Sequence, residues 1–190
     1  MNSKYKENLI YRFLFLFISP LNGWKQIKNL RLTPEIVSKK LFYPLCALAA
    51  LSVFFEILYK EDVLIENLLK QALIVFSSFF LGSFLILFLS SILLKKESNI
   101  KFQSNYGKVY NLINISTLCL FYVIYNIIPI LEPILVFTPI YTIYLIIKGS
   151  RLFKFEEKEK ISSIIILIVL IIGTPICISY LLSSLLPIYN

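Results

Sequence analysis

The sequence predicts an all-α, polytopic integral membrane protein with five transmembrane helices and N-terminal interfacial helices. Three observations support this class. Hydrophobic residues make up 58% of the 190-residue chain and charged residues only 16%, which is too apolar for a water-soluble domain of this size. Several apolar runs approach the roughly 20 residues that a membrane-crossing helix needs. Lys and Arg residues cluster in alternate segments between those runs.

The apolar runs divide into five predicted spans. The run between Leu112 and Ile147 is too long for one crossing, because a helix rises about 1.5 Å per residue. Its turn is expected at residues 126–133, where two prolines accompany Glu132 and proline cannot continue a helical hydrogen-bond ladder. The predicted spans are 41–59, 72–94, 109–128, 131–147 and 161–182, in a transmembrane domain at 41–187 followed by an outer tail at 188–190.

The distribution of Lys and Arg predicts the orientation. With five spans, seventeen of these residues lie on one side of the membrane and two on the other. Because positive residues are retained in cytoplasmic loops during insertion, we expect a cytoplasmic N-terminus and an outer C-terminus, in a bacterial plasma membrane. The basic residues flank the spans, so topology explains the net charge of +8 and no nucleic-acid partner is expected.

Residues 1–40 are expected to lie along the cytoplasmic membrane surface as short amphipathic helices. Arg12 interrupts the first apolar stretch and no small-x-small cleavage site follows, which argues against a signal peptide. Ser19 and Pro20 suit the start of a second helix. On that helix, the residues expected to anchor in lipid headgroups or to dock a protein partner are Trp24, Lys25, Ile27 and Lys28.

The sequence contains no recognisable catalytic or metal site. It has no histidine, the commonest general base and a frequent metal ligand, and no hydrolase or nucleotide-binding motif is complete. The three cysteines lie in separate apolar runs and are interpreted as buried small side chains. We therefore expect neither an enzyme nor a cofactor. Glu56 is interpreted as the ion-pair partner of Lys60, with a proton site as the alternative.

Small and polar residues within the spans are interpreted mainly as packing groups. Ser78 and Gly82 form a small-x-x-x-small pair, which lets another helix approach closely. Asn111 and Asn114 are expected to hydrogen-bond across the bundle. Together with Thr138, they are also the candidates for lining a polar cavity.

Two sequence blocks resemble those of a known family. The N-terminal segment carries a Pro-x-x-x-Trp-x-x-Ile block at Pro20, Trp24 and Ile27. The fourth predicted span carries a Tyr-x-x-Tyr pattern followed by Gly, at Tyr141, Tyr144 and Gly149. With five spans and an outer C-terminus, this order resembles the Yip family of Ypt/Rab-interacting membrane proteins, particularly its short bacterial branch.

The resemblance implies a five-span protein that associates with itself or with other membrane proteins. Eukaryotic members bind Rab GTPases through a cytosolic segment with an Asp-Leu-Tyr-Gly-Pro type motif. This sequence lacks that motif, so Rab binding is not expected. It also lacks the Pro that relatives often place shortly after a Tyr in span three.

Three functions of different classes are compatible with the sequence. The favoured one is a non-enzymatic membrane organiser or adaptor that contacts lipid, other membrane proteins or itself. The alternative is a small-molecule or lipid transporter with a polar cavity between spans three to five. A solvent-filled cleft between these spans would make transport the favoured function. An intramembrane enzyme comes last, because it would have to work without histidine.

Overall fold

The structure, a computed structural model, describes residues 4–60, 64–97, 105–131, 133, 137–152 and 160–186. All regular elements in these ranges are helical. They are α1 Lys4–Ile18, α2 Pro20–Asn29, α3 Pro34–Leu58, α4 Ile65–Glu97, α5 Asn105–Ile127, α6 Thr138–Leu152, and α7, made of Lys160–Ile168, Val169–Gly173 and Thr174–Leu185. A short 3-10 turn, Pro129–Leu131, follows α5.

Four helices of the described chain are long and apolar enough to cross a membrane. They are α3, α4 (from Ile65 to Leu93), α5 and α7 (from Ile161). The all-helical class is therefore confirmed for the described residues, and the four apolar helices indicate a membrane-embedded chain. The described part of helix α6 has 15 residues, about five fewer than a crossing normally needs.

The helix boundaries differ most from the prediction in the fourth span. It was predicted at 131–147, whereas α6 is Thr138–Leu152. The turn after α5 lies where the two prolines predicted it, since α5 ends at Ile127. Glu132, predicted in that turn, and the predicted tail at 188–190 lie outside the described residues.

Two prolines coincide with widened helical turns. In α3, a π-helical turn at Ser38–Phe42 directly precedes the segment that contains Pro44. In α7, a second one at Val169–Gly173 directly precedes the segment that contains Pro175. Proline lacks the N–H that would complete the ladder and its ring crowds the preceding turn. A π-turn accommodates that defect inside an otherwise continuous helix.

Contacts between neighbouring helices show that they alternate in direction. The side chain of Gln71 early in α4 bonds Glu56 late in α3, at 2.9 Å. Later in α4, Ser90 accepts a bond from Asn111, early in α5, at 3.0 Å. Successive helices therefore run antiparallel across these two interfaces. Helices α5 and α6 follow the same rule, because Tyr110 bonds the Ile146 carbonyl and the Phe121 ring contacts Tyr141.

Helices α1 and α2 form an antiparallel hairpin, called here the N-terminal hairpin. Arg12 Nη1 donates to the Gln26 carbonyl at 3.1 Å. Gly23 allows the closest approach, because a Cβ at this position would lie 2.6 Å from the Leu16 Cα. The face of α1 that carries Leu9, Phe13 and Leu16 is buried, so the hairpin packs against the rest of the protein with one apolar side.

The tryptophan of α2 joins this hairpin to the bundle. Trp24 is fully buried, its Nε1 donates to the Leu145 carbonyl of α6 at 3.1 Å, and its ring lies 5.0 Å from that of Tyr110 in α5. Gly149 of α6 makes room for both rings. A Cβ there would lie 2.5 Å from Tyr110 Cε2 and 2.7 Å from Trp24 Cε2.

Gly149→Ala is expected to destabilise the protein by about 1–3 kcal/mol, because the added methyl group forces two buried rings apart. In detergent, the melting temperature should fall by several degrees and the emission of Trp24, the single tryptophan, should shift to the red. Gly173→Ala is the matched control, since a Cβ there meets no atom within 4 Å. Equal melting temperatures for the two variants would contradict the proposed contact.

Candidate functional site

A groove of about 570 Å³ lies between α4, α5, α6 and α7. Its walls are mainly apolar, and this apolar part includes Val75, Phe79, Leu118, Ile172, Pro175 and Ile176. Hydroxyl groups are present as well, on Ser78, Tyr122, Tyr125, Thr138, Ser179, Tyr180 and Ser183. The described side chains that line the groove carry no formal charge.

The groove extends to the end of the bundle opposite the one at which α2 ends, and its lining residue Phe121 contacts Phe17 of the hairpin, with 5.5 Å between the ring centroids. Lys28 of the hairpin donates to the carbonyl of Leu152, the last residue of α6, at 2.8 Å. The groove instead includes Thr138, the first residue of α6. It also includes Tyr125 near the end of α5 and Ser183 near the end of α7. This end is called here the far end of the bundle.

One of the three residues predicted to line a cavity does so. Thr138 is part of the groove, but Asn111 and Asn114 are not. Both asparagines are buried: Asn111 Nδ2 donates to Ser90 Oγ at 3.0 Å and Asn114 Nδ2 to the Tyr110 carbonyl at 2.9 Å. The cavity prediction is therefore wrong for these two residues, because their amides bond helix groups instead. Their Oδ1 atoms accept no hydrogen bond within the described part of the chain.

Of the four α2 residues predicted to anchor in headgroups or to dock a partner, two are buried and two are exposed. Trp24 and Ile27 are buried inside the protein, so the prediction that they face headgroups or a partner is wrong. The residues of α5 and α6 that cover these two side chains are distant from them in sequence. Helical periodicity does not show which distant residues pack against a helix face. Lys25 and Lys28 are exposed, so a headgroup role for these lysines stays a prediction.

The small-residue pair of α4 lies between helices. Gly82 is buried, and a Cβ there would lie 3.4 Å from Pro175 Cγ of α7. Ser78 is buried beside the groove and donates to the Ile74 carbonyl of its own helix at 2.6 Å. Helix α7 thus packs against the face of α4 on which both residues lie.

A polar network supports the groove wall at the far end. Glu56 bonds Lys60 Nζ at 2.9 Å and Gln71 Nε2 at 2.9 Å. Tyr122, which lines the groove, lies beside Gln71 of α4 and Asn126 of its own helix. These polar groups therefore adjoin the groove wall.

The same network reaches the first transmembrane helix. Asn126 Nδ2 donates to Ser52 Oγ of α3 at 2.9 Å, and Ser52 in turn donates to the Ala49 carbonyl at 2.7 Å. Both side chains are buried. Since an unsatisfied polar group in hydrocarbon is costly, these bonds tie α3 to α5.

The Glu56 carboxylate changes the acidity of Lys60. By hydrogen bonding to the ammonium, it raises the pKa of Lys60 above the ordinary value of 10.5. A lysine whose pKa is raised in the folded protein stabilises the fold at pH values below 10.5, and this contribution is lost as the pH rises through the folded pKa. Lys60 is 64% exposed, so the stabilisation is small.

Replacement of Glu56 by Gln is expected to speed acylation of Lys60 by an amine-reactive reagent at pH 9, because only the neutral amine reacts and the variant has more of it. The site-specific rate is measured by mass spectrometry. Glu66→Gln is the control, because Glu66 pairs with Lys70 at 2.7 Å and should leave the Lys60 rate unchanged. An unchanged rate in the Glu56 variant would show that the pair does not persist in the membrane.

Two cysteines from different spans meet in the core, which the sequence did not predict. The thiols of Cys46 in α3 and Cys119 in α5 lie next to each other, and Cys46 Sγ donates to the Phe76 carbonyl at 3.6 Å. No group of three or more potential metal ligands occurs among the described residues. Both cysteines are buried and form part of the core.

Comparison with protein families, with curated proteins and with solved structures finds no match to this chain. The family resemblance of its two sequence blocks therefore has no independent support from these comparisons.

Proposed function

We propose that the chain crosses a bacterial plasma membrane five times, with its N-terminus in the cytoplasm. The antiparallel contacts of α5 with α6 support this topology, as does the position of Ser183 beside Thr138 at the far end. A short helix such as α6 is tolerated by local thinning of the bilayer. With five crossings, seventeen Lys and Arg residues lie on the cytoplasmic side of the membrane and two on the outer side, as positive residues in membrane proteins prefer.

Labelling with a membrane-impermeant maleimide in intact cells tests this topology. In a Cys177→Ala background, a cysteine at Asn190 should react, whereas one at exposed Lys25 should react only after the cells are permeabilised. Cys46 and Cys119 are buried and should stay unlabelled. With four crossings the two introduced cysteines would lie on the same side, so equal accessibility would refute the proposal.

Membership of the Yip family is proposed as well, on the strength of the two sequence blocks. In the fold these blocks adjoin, since Trp24 packs where Gly149 leaves room. The Tyr141 hydroxyl also donates to the Phe17 carbonyl of the N-terminal hairpin at 2.8 Å. The two sequence blocks thus meet in one internal interface. Binding of a Rab-type GTPase is not proposed.

For its activity, we propose that the protein binds the apolar chain of a membrane lipid in the groove and performs no catalysis. The observation behind this proposal is the groove itself, whose 570 Å³ falls in the range of about 300–1,000 Å³ typical of ligand pockets. It lies among helices that can span a membrane, where lipid chains are the surrounding medium. Its uncharged walls favour an apolar ligand over a polar solute.

The adaptor role favoured by the sequence loses one expected docking surface. Trp24 and Ile27, the expected docking residues, are buried within the protein and cannot form the centre of a partner interface. Lipid binding is therefore placed ahead of it.

Photocrosslinking with a fatty acid that carries a diazirine in its chain tests lipid binding. We expect adducts on the groove peptides of α4, α5 and α7, and a severalfold lower yield when Ile176→Trp fills the groove. Leu181→Trp is the matched control, because Leu181 lies outside the groove lining on the same helix. The two side chains are 62% and 61% exposed. Equal yields for the two variants, or adducts spread evenly over all spans, would overturn the proposal.

A further inference from the structure

Three serine and threonine hydroxyls at the far end of the groove have no hydrogen-bond partner among the described residues. They belong to Thr138 at the start of α6 and to Ser179 and Ser183 on α7. Within the described part of the chain, none of the three donates to a protein acceptor or accepts from a donor. Ser179 and Ser183 are four residues apart, so both project from the same side of α7.

Other hydroxyls in the transmembrane helices are satisfied locally. Ser83 donates to the Phe80 carbonyl at 2.7 Å, and Thr117 donates to the Ile113 carbonyl at 3.1 Å. Ser and Thr in membrane helices commonly bond a carbonyl one turn back. The hydroxyls of Thr138, Ser179 and Ser183 depart from this habit and remain available to a ligand.

Polarity is distributed unevenly along the groove. Phe79, Leu118 and Ile172 provide apolar surface, whereas the three free hydroxyls are close to the ends of their helices at the far end. A ligand that matches this arrangement has a long apolar chain and a polar head that exchanges hydrogen bonds.

The charge of the groove restricts that head further. Its described lining contains no Lys, Arg, Asp or Glu. The nearby Glu56 and Lys60 pair with each other at 2.9 Å and so largely cancel. A phosphate among the three hydroxyls would have no cation to compensate it, and an uncompensated charge in an apolar site is costly.

We propose that the groove selects an uncharged glycerolipid of the diacylglycerol type, whose hydroxyl and ester oxygens bond Thr138, Ser179 and Ser183. This inference rests on the proposed binding of a lipid chain and adds the identity of the head. The three serine and threonine side chains are specificity determinants, and the apolar part of the groove holds an acyl chain.

The test compares diacylglycerol with phosphatidic acid, which differs from it by one phosphate, both carrying the same diazirine-labelled chain. Purified full-length protein in phosphatidylcholine vesicles is irradiated with each probe, and groove adducts are quantified by mass spectrometry. We expect about tenfold more adduct with diacylglycerol. Its uncharged head forms a few neutral hydrogen bonds within the membrane and suits the uncharged groove, whereas the phosphate of phosphatidic acid does not.

A hydroxyl-free variant identifies the groups responsible. Thr138→Val, Ser179→Ala and Ser183→Ala combined should abolish the preference for diacylglycerol while adducts persist. The control combines Ser91→Ala with Ser184→Ala, whose hydroxyls bond carbonyls of their own helices at 2.6 and 2.7 Å. Trp24 emission reports whether each variant is folded. If the triple variant is not folded, the single variant Ser183→Ala is tested in its place and should weaken the preference for diacylglycerol.

The outcomes separate the two proposals. Groove adducts of equal yield from both probes, or a preference that survives in the hydroxyl-free variant, would overturn the selection of an uncharged head while lipid-chain binding stands. Absence of groove adducts with either probe would overturn lipid-chain binding itself.

Discussion

Trp24 occupies the space that Gly149 leaves on the surface of α6, and this contact joins three parts of the molecule. The indole lies against Tyr110 of α5 and bonds the backbone of α6. A glycine inside a helix normally costs about 1 kcal/mol of helix stability relative to alanine. Here the missing side chain admits a large aromatic ring and its buried hydrogen bond, so the N-terminal hairpin, α5 and α6 are held as one unit.

The position of α6 explains why a groove forms at the far end. The hairpin contacts α6 from Tyr141 to Leu152, while the first residue of α6, Thr138, borders the groove. The free space between α5 and α7 is therefore bounded by α4 on one side and by the start of α6 on the other.

Among the described residues, the polar groups of the apolar helices divide into those with a hydrogen-bond partner in the protein and those without one. Most of the described hydroxyls bond their own helix, and the bonds of Gln71 to Glu56 and of Asn126 to Ser52 pair larger polar side chains. Because lipid offers no hydrogen bonds, the exceptions carry the functional information. The hydroxyls of Thr138, Ser179 and Ser183 are exceptions that a ligand can reach, whereas the Asn111 and Asn114 oxygens are enclosed by protein.

The sequence by itself determined the helical membrane class, the start of α2 at Pro20 and the turn after α5, because hydropathy and proline act within a few residues. It misplaced the fourth helix, since an apolar run does not mark where a helix begins inside it. Tertiary structure alone decided that Trp24 is buried, that Cys46 meets Cys119, and that Thr138 rather than Asn111 lines the groove. Trp24 bonds a carbonyl 121 residues away, and local periodicity shows which residues share a helix face but not which distant helix covers it.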